Sequence, residues 1–361
     1  MKYRFKLIKG LLLLFIFQYA SSLIAADDGL KIEIKLPKSV TNNAVAVATI
    51  HGKKKLFSFN GLSHNKTYQD IHNKAYSINL VTGESKQIKS VPGEKGKLAS
   101  IAVTIDNRIL VIGGYTVAAD HTEISSPSVV EYLPMEDRYR LITQMPVPVD
   151  DTVALTYQQR FVYLISGWHD TDNVNLVQVY DLKENRWFNA TSFPGAPVFG
   201  HAGGIVGNQL LIADGVKVES MVKGKNIYMP SDENWLGEIN PRNPAVIDWK
   251  KIKKHPFKPF YRMAAVGVSE LNKIVFVGGS DNPYNYNGIG YDGVPSKPSA
   301  NVFSFDLLTQ EWDIHRSLKQ PSMDHRGLLF ANDEFYVVGG MGANQEVLDS
   351  VSHFQLKHKG K

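Results

Sequence analysis

Several polar residues of chemically useful type stand directly before short apolar runs in this chain. Asp150 and Asp151 precede Thr152 to Tyr157, His201 precedes Ala202 to Val206, Arg262 stands before Ala264 to Val268, and His325 and Arg326 precede Gly327 to Ala331. Asn42, Asn43 and Ser100 hold the matching places near Ala44 to Ile50 and Ala99 to Ile105. An imidazole whose ordinary pKa lies near neutrality can move a proton, so His201 is the candidate acid–base group, with Asp151 as its carboxylate partner. Two guanidiniums, Arg262 and Arg326, have the planar fork that receives a carboxylate, and His325 stands beside the second. Adjacent strand residues face opposite ways, so Asp150 and Asp151 are not expected to act as a pair.

Further candidates sit in loops. Trp168-His169-Asp170 offers an aromatic face beside polar groups. It fits sugar stacking and equally a rim residue packed on a neighbouring loop. Asp281 to Gly293 is a long insertion rich in Asn, Asp, Gly and Tyr, in which Asp281, Asn282 and Tyr286 are the candidate sugar contacts. A loop of this length is either a binding loop or a self-packed plug. Lys217 to Trp235 is a second insertion without a recognisable chemistry. The acidic residues near positions 150 and 170 follow no twelve-residue calcium pattern, so no metal and no other cofactor is expected.

The elements that must position these residues repeat. Arg108-Ile109-Leu110-Val111-Ile112-Gly113-Gly114 is an apolar run closed by paired glycines, and close variants end at Gly61, Gly167, Gly215, Gly279 and Gly340. Their final glycines lie 53, 53, 48, 64 and 61 residues apart, a period that belongs to propellers or solenoids. Each run follows one of the small-residue runs named above, across a turn such as Asp106-Asn107 or Asn332-Asp333. Each is followed by a third strand with an aromatic and, seven residues on, a fourth: Tyr132 and Tyr139, Tyr180 and Trp187, Phe305 and Trp312. Six such units with no helix-period segment predict an all-β, six-bladed propeller over residues 27–361, its small residues crowding the axis.

The last unit reaches Phe354 but has no fourth-strand aromatic. The alternating stretch Ile32 to Leu36 is therefore expected to complete it and close the ring, which removes the open sheet edges. Because strands alternate direction, the glycine ends and the heads of the inner strands share one face. That face should carry a polar pocket, with cations on one side and carboxylates on the other.

Residues 1–26 combine Lys2, Arg4, Lys6 and Lys9 with the short apolar run Leu11 to Phe17 and small residues up to Ala26. This is the pattern of an export signal, too short to span a bilayer comfortably. The mature protein is thus expected in the periplasm or outside the cell, free of the membrane. Removing the signal takes away four positive charges and no negative ones, lowering the net charge from +5 to +1. Nucleic acid is therefore not an expected partner. The absence of cysteine excludes thiolate metal sites, disulfides and a cysteine nucleophile.

The apolar strand ending in Gly-Gly, followed by Tyr and then Trp, resembles the kelch repeat over about residues 40–356. Two kelch families are similar at this level. The galactose-oxidase propellers need a tyrosine cross-linked to a cysteine, which this chain lacks, so copper oxidation is not expected. The exported N-acetylneuraminate epimerases, or sialic-acid mutarotases, resemble this chain in size, in His201 at the head of an inner strand and in the long polar insertion of unit five. That family carries a Glu directly after the unit-four glycine, where this chain has Val216, with Glu219 three residues on. The resemblance implies a sugar ligand, most naturally an acidic one, and mutarotation or epimerisation. The competing reading is a non-catalytic scaffold that binds a protein or carbohydrate partner on the same loop face.

Overall fold

The computed structural model describes residues 33–356. The proposed export signal, Ile32 and the basic tail from Lys357 lie outside the described residues. Over the described residues the fold is all-β, with one short 3-10 turn at Tyr68–Asp70, and is arranged as a six-bladed β-propeller. Blade one is Ala44–Ile50, Lys53–Phe59, Ala75–Asn79 and Ser85–Ile88, paired antiparallel in that order. The inner strands of blades two to six are Leu98–Ile105, Val153–Tyr157, Ala202–Val206, Ala264–Val268 and Leu329–Ala331. Each contacts the next around the axis, and the last contacts the first.

Small residues make this ring close enough to pack. A Cβ on Gly267 would lie 2.0 Å from the carbonyl oxygen of Ile205, so blades four and five meet backbone to backbone there. The core lies between blades. Phe57 and Phe59 of blade one are edge-on to Tyr132 of blade two, at 5.8 and 5.5 Å between ring centres. The expected third- and fourth-strand aromatics do stand opposite each other: Tyr132 and Tyr139, Tyr180 and Trp187, Phe305 and Trp312 are register partners.

Blade six has only three strands of its own: Leu329–Ala331, Glu334–Val338 and Val351–Phe354. The amino-terminal segment completes it. Leu36 N–H donates to Asp349 O at 2.7 Å, and Val351 N–H donates to Ile34 O at 2.9 Å. Ile34 and Leu36 are buried against Val338 and Val351, each contributing on the order of 1.5–3 kcal/mol of apolar burial.

The glycine ends have a common conformation. Gly113 and Gly114 have φ of 61° and 82°, and the three residues that replace a first glycine, Asn60, Ser166 and Asp214, have φ of 58°, 55° and 61°. Each replacement uses its side chain to hold the turn. Ser166, the least suited to this region, has its Oγ 2.8 Å from both Val174 O and Val198 O, either of which can accept its single proton, and accepts from Val198 N–H at 2.9 Å. Asp214 accepts from His255 Nε2 at 2.8 Å and from Phe260 N–H at 2.7 Å.

Candidate functional site

One backbone motif recurs at the head of all six inner strands. The residue after each final glycine pairs with a residue just ahead of, or at the start of, the inner strand: Leu62 with Thr41, Tyr115 with Leu98, Trp168 with Asp150, Val216 with Phe199, Ser280 with Tyr261, and Met341 with Met323. The next residue in each case is left-handed: Asn42, Ala99, Asp151, Gly200, Arg262 and Asp324, with φ between 48° and 69°. Backbone hydrogen bonds link most of these heads around the axis. Asp151 N–H donates to Ala99 O, Gly200 N–H to Asp151 O, Arg262 N–H to Gly200 O and His325 N–H to Arg262 O, at 2.7–3.2 Å. Left-handed backbone costs an ordinary L-residue roughly 1–2 kcal/mol, yet Asp151, Arg262 and Asp324 accept it. Each then projects a charged side chain toward the axis.

The result is a buried four-charge cluster. Arg262 Nε and Nη2 donate to Asp151 Oδ2 at 2.8 and 2.6 Å, and Nη1 donates to Asp324 Oδ1 at 3.1 Å. Arg326 Nε lies 3.3 Å from Asp151 Oδ1, and its Nη2 lies 3.5 Å from Asp324 Oδ1. Thr41 Oγ1 and Asn42 Nδ2 also donate to Asp324, at 2.6 and 3.2 Å. None of the four charged residues is more than 8% exposed. Cations and carboxylates therefore alternate, rather than standing on opposite sides as the sequence led us to expect. Burial raises the Asp151 carboxyl, but Arg262 and then Arg326 outweigh it and hold it below the usual carboxylate range. Arg262 loses to burial and gains more from Asp151, so it stays charged well beyond its ordinary range. Its guanidinium also lies over the rings of Tyr261 and Tyr284, at 4.6 and 5.5 Å.

Asp150 turns away from this cluster. Its Oδ2 accepts from Ser125 Oγ at 2.6 Å, and burial, with Asp151 and Glu123 adding, pushes its carboxyl well up despite that bond. The two histidines occupy equivalent places. His201 Nε2 meets Ile165 O of the preceding blade at 2.8 Å, just as Asn43 Nδ2 meets Val338 O at 3.3 Å. His325 Nε2 meets Ser322 Oγ at 3.0 Å. Burial pulls both imidazoles down to about 4, so both are neutral at pH 7.

Loops from three blades close over the loop-side end of the cluster. Glu123 lies on Glu123–Ser125, a short strand paired with the end of Arg108–Val117 in blade two. The blade-four insertion forms the hairpin Val216–Val222 and Lys225–Pro230, whose Tyr228 ring lies 4.2 Å from Tyr291 of the blade-five loop. The charge of Arg262 reaches Tyr115, Glu123 and Tyr291. Glu123 and Tyr291 remain open to solvent. Even so, burial, with Asp151 adding and Arg262 opposing, pushes the Glu123 carboxyl up to about 6. An exposed carboxyl with a raised pKa beside buried charges is a candidate functional group.

The other expected contacts lie on the same loop face without converging on Glu123. Trp168 packs between Phe199 and Tyr228, at 5.4 and 6.0 Å, with its indole N–H on Asp170 O. Tyr286 packs against the cluster containing Tyr115 and reaches His121 at 3.5 Å. Asp281 pairs with Lys258 at 3.2 Å, and Asn282 donates to Asp292 within its own loop. Among the described residues, no three His, Asp or Glu side chains gather as a metal site.

No protein-family profile matches the chain. It is 23% identical to Kelch-like protein 15 of Mus musculus over 256 residues, 69% of this chain and 40% of that protein. The chain thus spans well under half the length of that curated relative. It is 21% identical to the N-acetylneuraminate epimerase of Salmonella arizonae over 323 residues, 76% of this chain and 80% of that protein. The Salmonella typhi protein of the same name is 22% identical over 317 residues, 75% of this chain and 79% of that protein. The solved structure of YjhT superposes with a TM-score of 0.71 at 14% identity, covering 90% of this chain and 97% of that one. With the six-bladed ring and its repeated glycine ends, these findings make the chain a kelch β-propeller that resembles N-acetylneuraminate epimerase.

Proposed function

We propose that this propeller binds a sugar in the loop-face cleft and interconverts its anomers. The observation that carries the reading is the position of Glu123, exposed on the loop face within electrostatic reach of Arg262, Tyr228 and Tyr291, where its carboxyl is raised to about 6. Mutarotation needs a proton taken from the anomeric hydroxyl and one given to the ring oxygen as the ring bond breaks. The open-chain carbonyl then recloses on its other face. A carboxyl that titrates near neutrality serves both directions. Tyr291, whose hydroxyl is raised first by burial, stays protonated and supplies a hydrogen-bond donor. In this reading Asp151 and Arg262 are positioning residues that fix the cleft floor, and His201 staples two blades.

The test follows anomer exchange by NMR, with N-acetylneuraminate first because relatives carry its name. A neutral hexose is the comparator, since the buried cluster sums to no net charge. The wild type should accelerate exchange at pH 7, and Glu123→Gln should lower that acceleration by a hundredfold or more. Saturable sugar binding with no accelerated exchange would refute the catalytic reading. A second reading, a docking face for a protein, is favoured by the exposed hairpin residues Met221 and Val222, 67% and 52% exposed. It gains if no sugar binds at all. Residues 1–26 are proposed as an export signal, checked by the mass of the secreted protein.

A further inference from the structure

The place just ahead of each inner-strand head is filled differently in blade two. Lys97 O accepts from Gly61 N–H, just as the carbonyls of Val198, Phe260, Ser322 and Val40 accept from Gly167, Gly215, Gly279 and Gly340. Val198, Phe260, Ser322 and Val40 are all buried and uncharged. Of these five equivalent places, Lys97 alone carries a charge. Its side chain is half-buried, and no charged group lies within electrostatic reach of its amine among the described residues. Lys273, also half-buried, is instead met by Asp306 and Asp313. Taking an ammonium out of water without a counter-charge is costly, and burial pulls the Lys97 pKa below its ordinary 10.5. Val or Phe fills the same place in other blades without that cost.

What the amine meets is a line of hydroxyls. Lys97 Nζ is hydrogen-bonded to the Oγ of Ser128, the first residue of the third strand of blade two, Ser128–Leu133. Ser128 Oγ lies 3.0 Å from Ser126 Oγ, and Ser128 N–H reaches the same oxygen at 3.4 Å. Ser126 N–H donates to Gly114 O at 2.8 Å, which anchors the line on the glycine end of its own blade. A charged Lys97 donates to Ser128. A neutral Lys97 accepts the Ser128 proton, and Ser128 then accepts from Ser126. Ser126 is the outer end of the line and is only half-buried, so a ligand needs to reach that residue alone. A hydroxyl in hydrogen-bonded contact with a base is the arrangement of an activated nucleophile.

We propose that Ser126 is an acyl-accepting nucleophile, activated by Lys97 through Ser128, whose substrates are small esters of acidic alcohols. Ser126 Oγ bonds to the acyl carbon while its proton passes to Ser128 and the Ser128 proton passes to Lys97 Nζ. The carbonyl π pair moves onto oxygen and returns as the bond to the leaving oxygen breaks. The leaving group departs as the alcohol, taking the proton that Lys97 gained. Water then cleaves the acyl-Ser126 ester, giving the acid and free Ser126. Esters of acidic alcohols are the class because their leaving oxygen needs the least stabilisation. Ser126 is the catalytic residue here, and Ser128 and Lys97 are positioning residues that act through it. This site does not depend on the sugar reading.

The full chain is mixed with p-nitrophenyl acetate, and both p-nitrophenolate release and the acetylated peptide are followed. A burst of about one equivalent is expected, with the acetyl group on Ser126 in a bond that hydroxylamine cleaves, as it does esters and not amides. The burst rate should rise with pH as Lys97 loses its proton, and level off below 10.5. Lys97→Met puts an apolar chain where other blades have Val or Phe, so the variant should fold. It should slow the burst by about a hundredfold or more and remove the pH dependence. Ser126→Ala should abolish the hydroxylamine-sensitive label. Acetylation of Lys97 or of exposed lysines with Ser126 unlabelled, or an undiminished burst in Lys97→Met, would each overturn the proposal.

Discussion

Replacing Arg262 with Met tests whether the four-charge cluster balances as described. In the wild type two guanidiniums face two carboxylates. Arg262→Met leaves Asp151 and Asp324 with Arg326 alone, whose contacts are the longer ones, 3.3 and 3.5 Å. One carboxylate is then buried without adequate compensation, which costs about 3–5 kcal/mol. Adding Asp151→Asn restores the balance to one cation and one anion and should recover at least about 2 kcal/mol. It does not recover everything, because Met cannot replace the guanidinium over Tyr261 and Tyr284, worth about 1–2 kcal/mol when desolvated. Guanidinium-chloride denaturation at pH 7 reads both variants. The pH dependence provides a second readout. Asp151 is held below its ordinary 3.8, so its contribution is present above that value and is lost as pH falls through the lower folded value. The single variant should lose this acid sensitivity at Asp151. If single and double variants are equally destabilised, the loss is one of packing and the electrostatic reasoning fails.

Two further outcomes follow from the site. Glu123 has a folded pKa of about 6 against an ordinary 4.5; its raised carboxyl stabilises below pH 4.5, and that contribution is lost as pH rises through 6. Glu123→Gln should therefore be more stable than wild type at pH 7.5, by about 1 kcal/mol or less once solvent screening is discounted, and indistinguishable from it at pH 4. Thermal unfolding at the two pH values checks this, and equal gains at both would refute it. Gly200→Ala should destabilise by about 3 kcal/mol or more. Its φ is 60° and the new Cβ would sit 2.0 Å from the buried Tyr261 ring. Denaturation of the variant reads the loss, and a cost below about 1 kcal/mol would show that the head motif tolerates relaxation.

Much of the ring could be read from the sequence because it is built by local, repeated rules. The inner strands of blades one, four and five begin and end where their small-residue runs do. The closing strand was legible from a missing aromatic after Phe354. The heads of the inner strands identified Asp151, His201, Arg262, His325 and Arg326 as neighbours, since direction reversal alone puts them on one face. Their partnerships were not legible. Asp324 stands beside His325 in sequence and was overlooked, because its role depends on a left-handed turn that Ala99 and Arg262 share without any residue-type signal. Glu123 was invisible for a different reason. It is an ordinary acidic loop residue until folding brings Arg262, Tyr228 and Tyr291, more than a hundred positions away, within electrostatic reach of it.

The pairing of residues 34–36 with residues 349–351 also bears on how such a chain is made. During synthesis the partner for the first segment emerges from the ribosome last. Until then the outer strand of blade six has no sheet to join, and blade one has no neighbour on that side. The disc therefore cannot nucleate at its seam. Its early order must come from the interblade packing of intermediate blades, with the seam fastening as the final event.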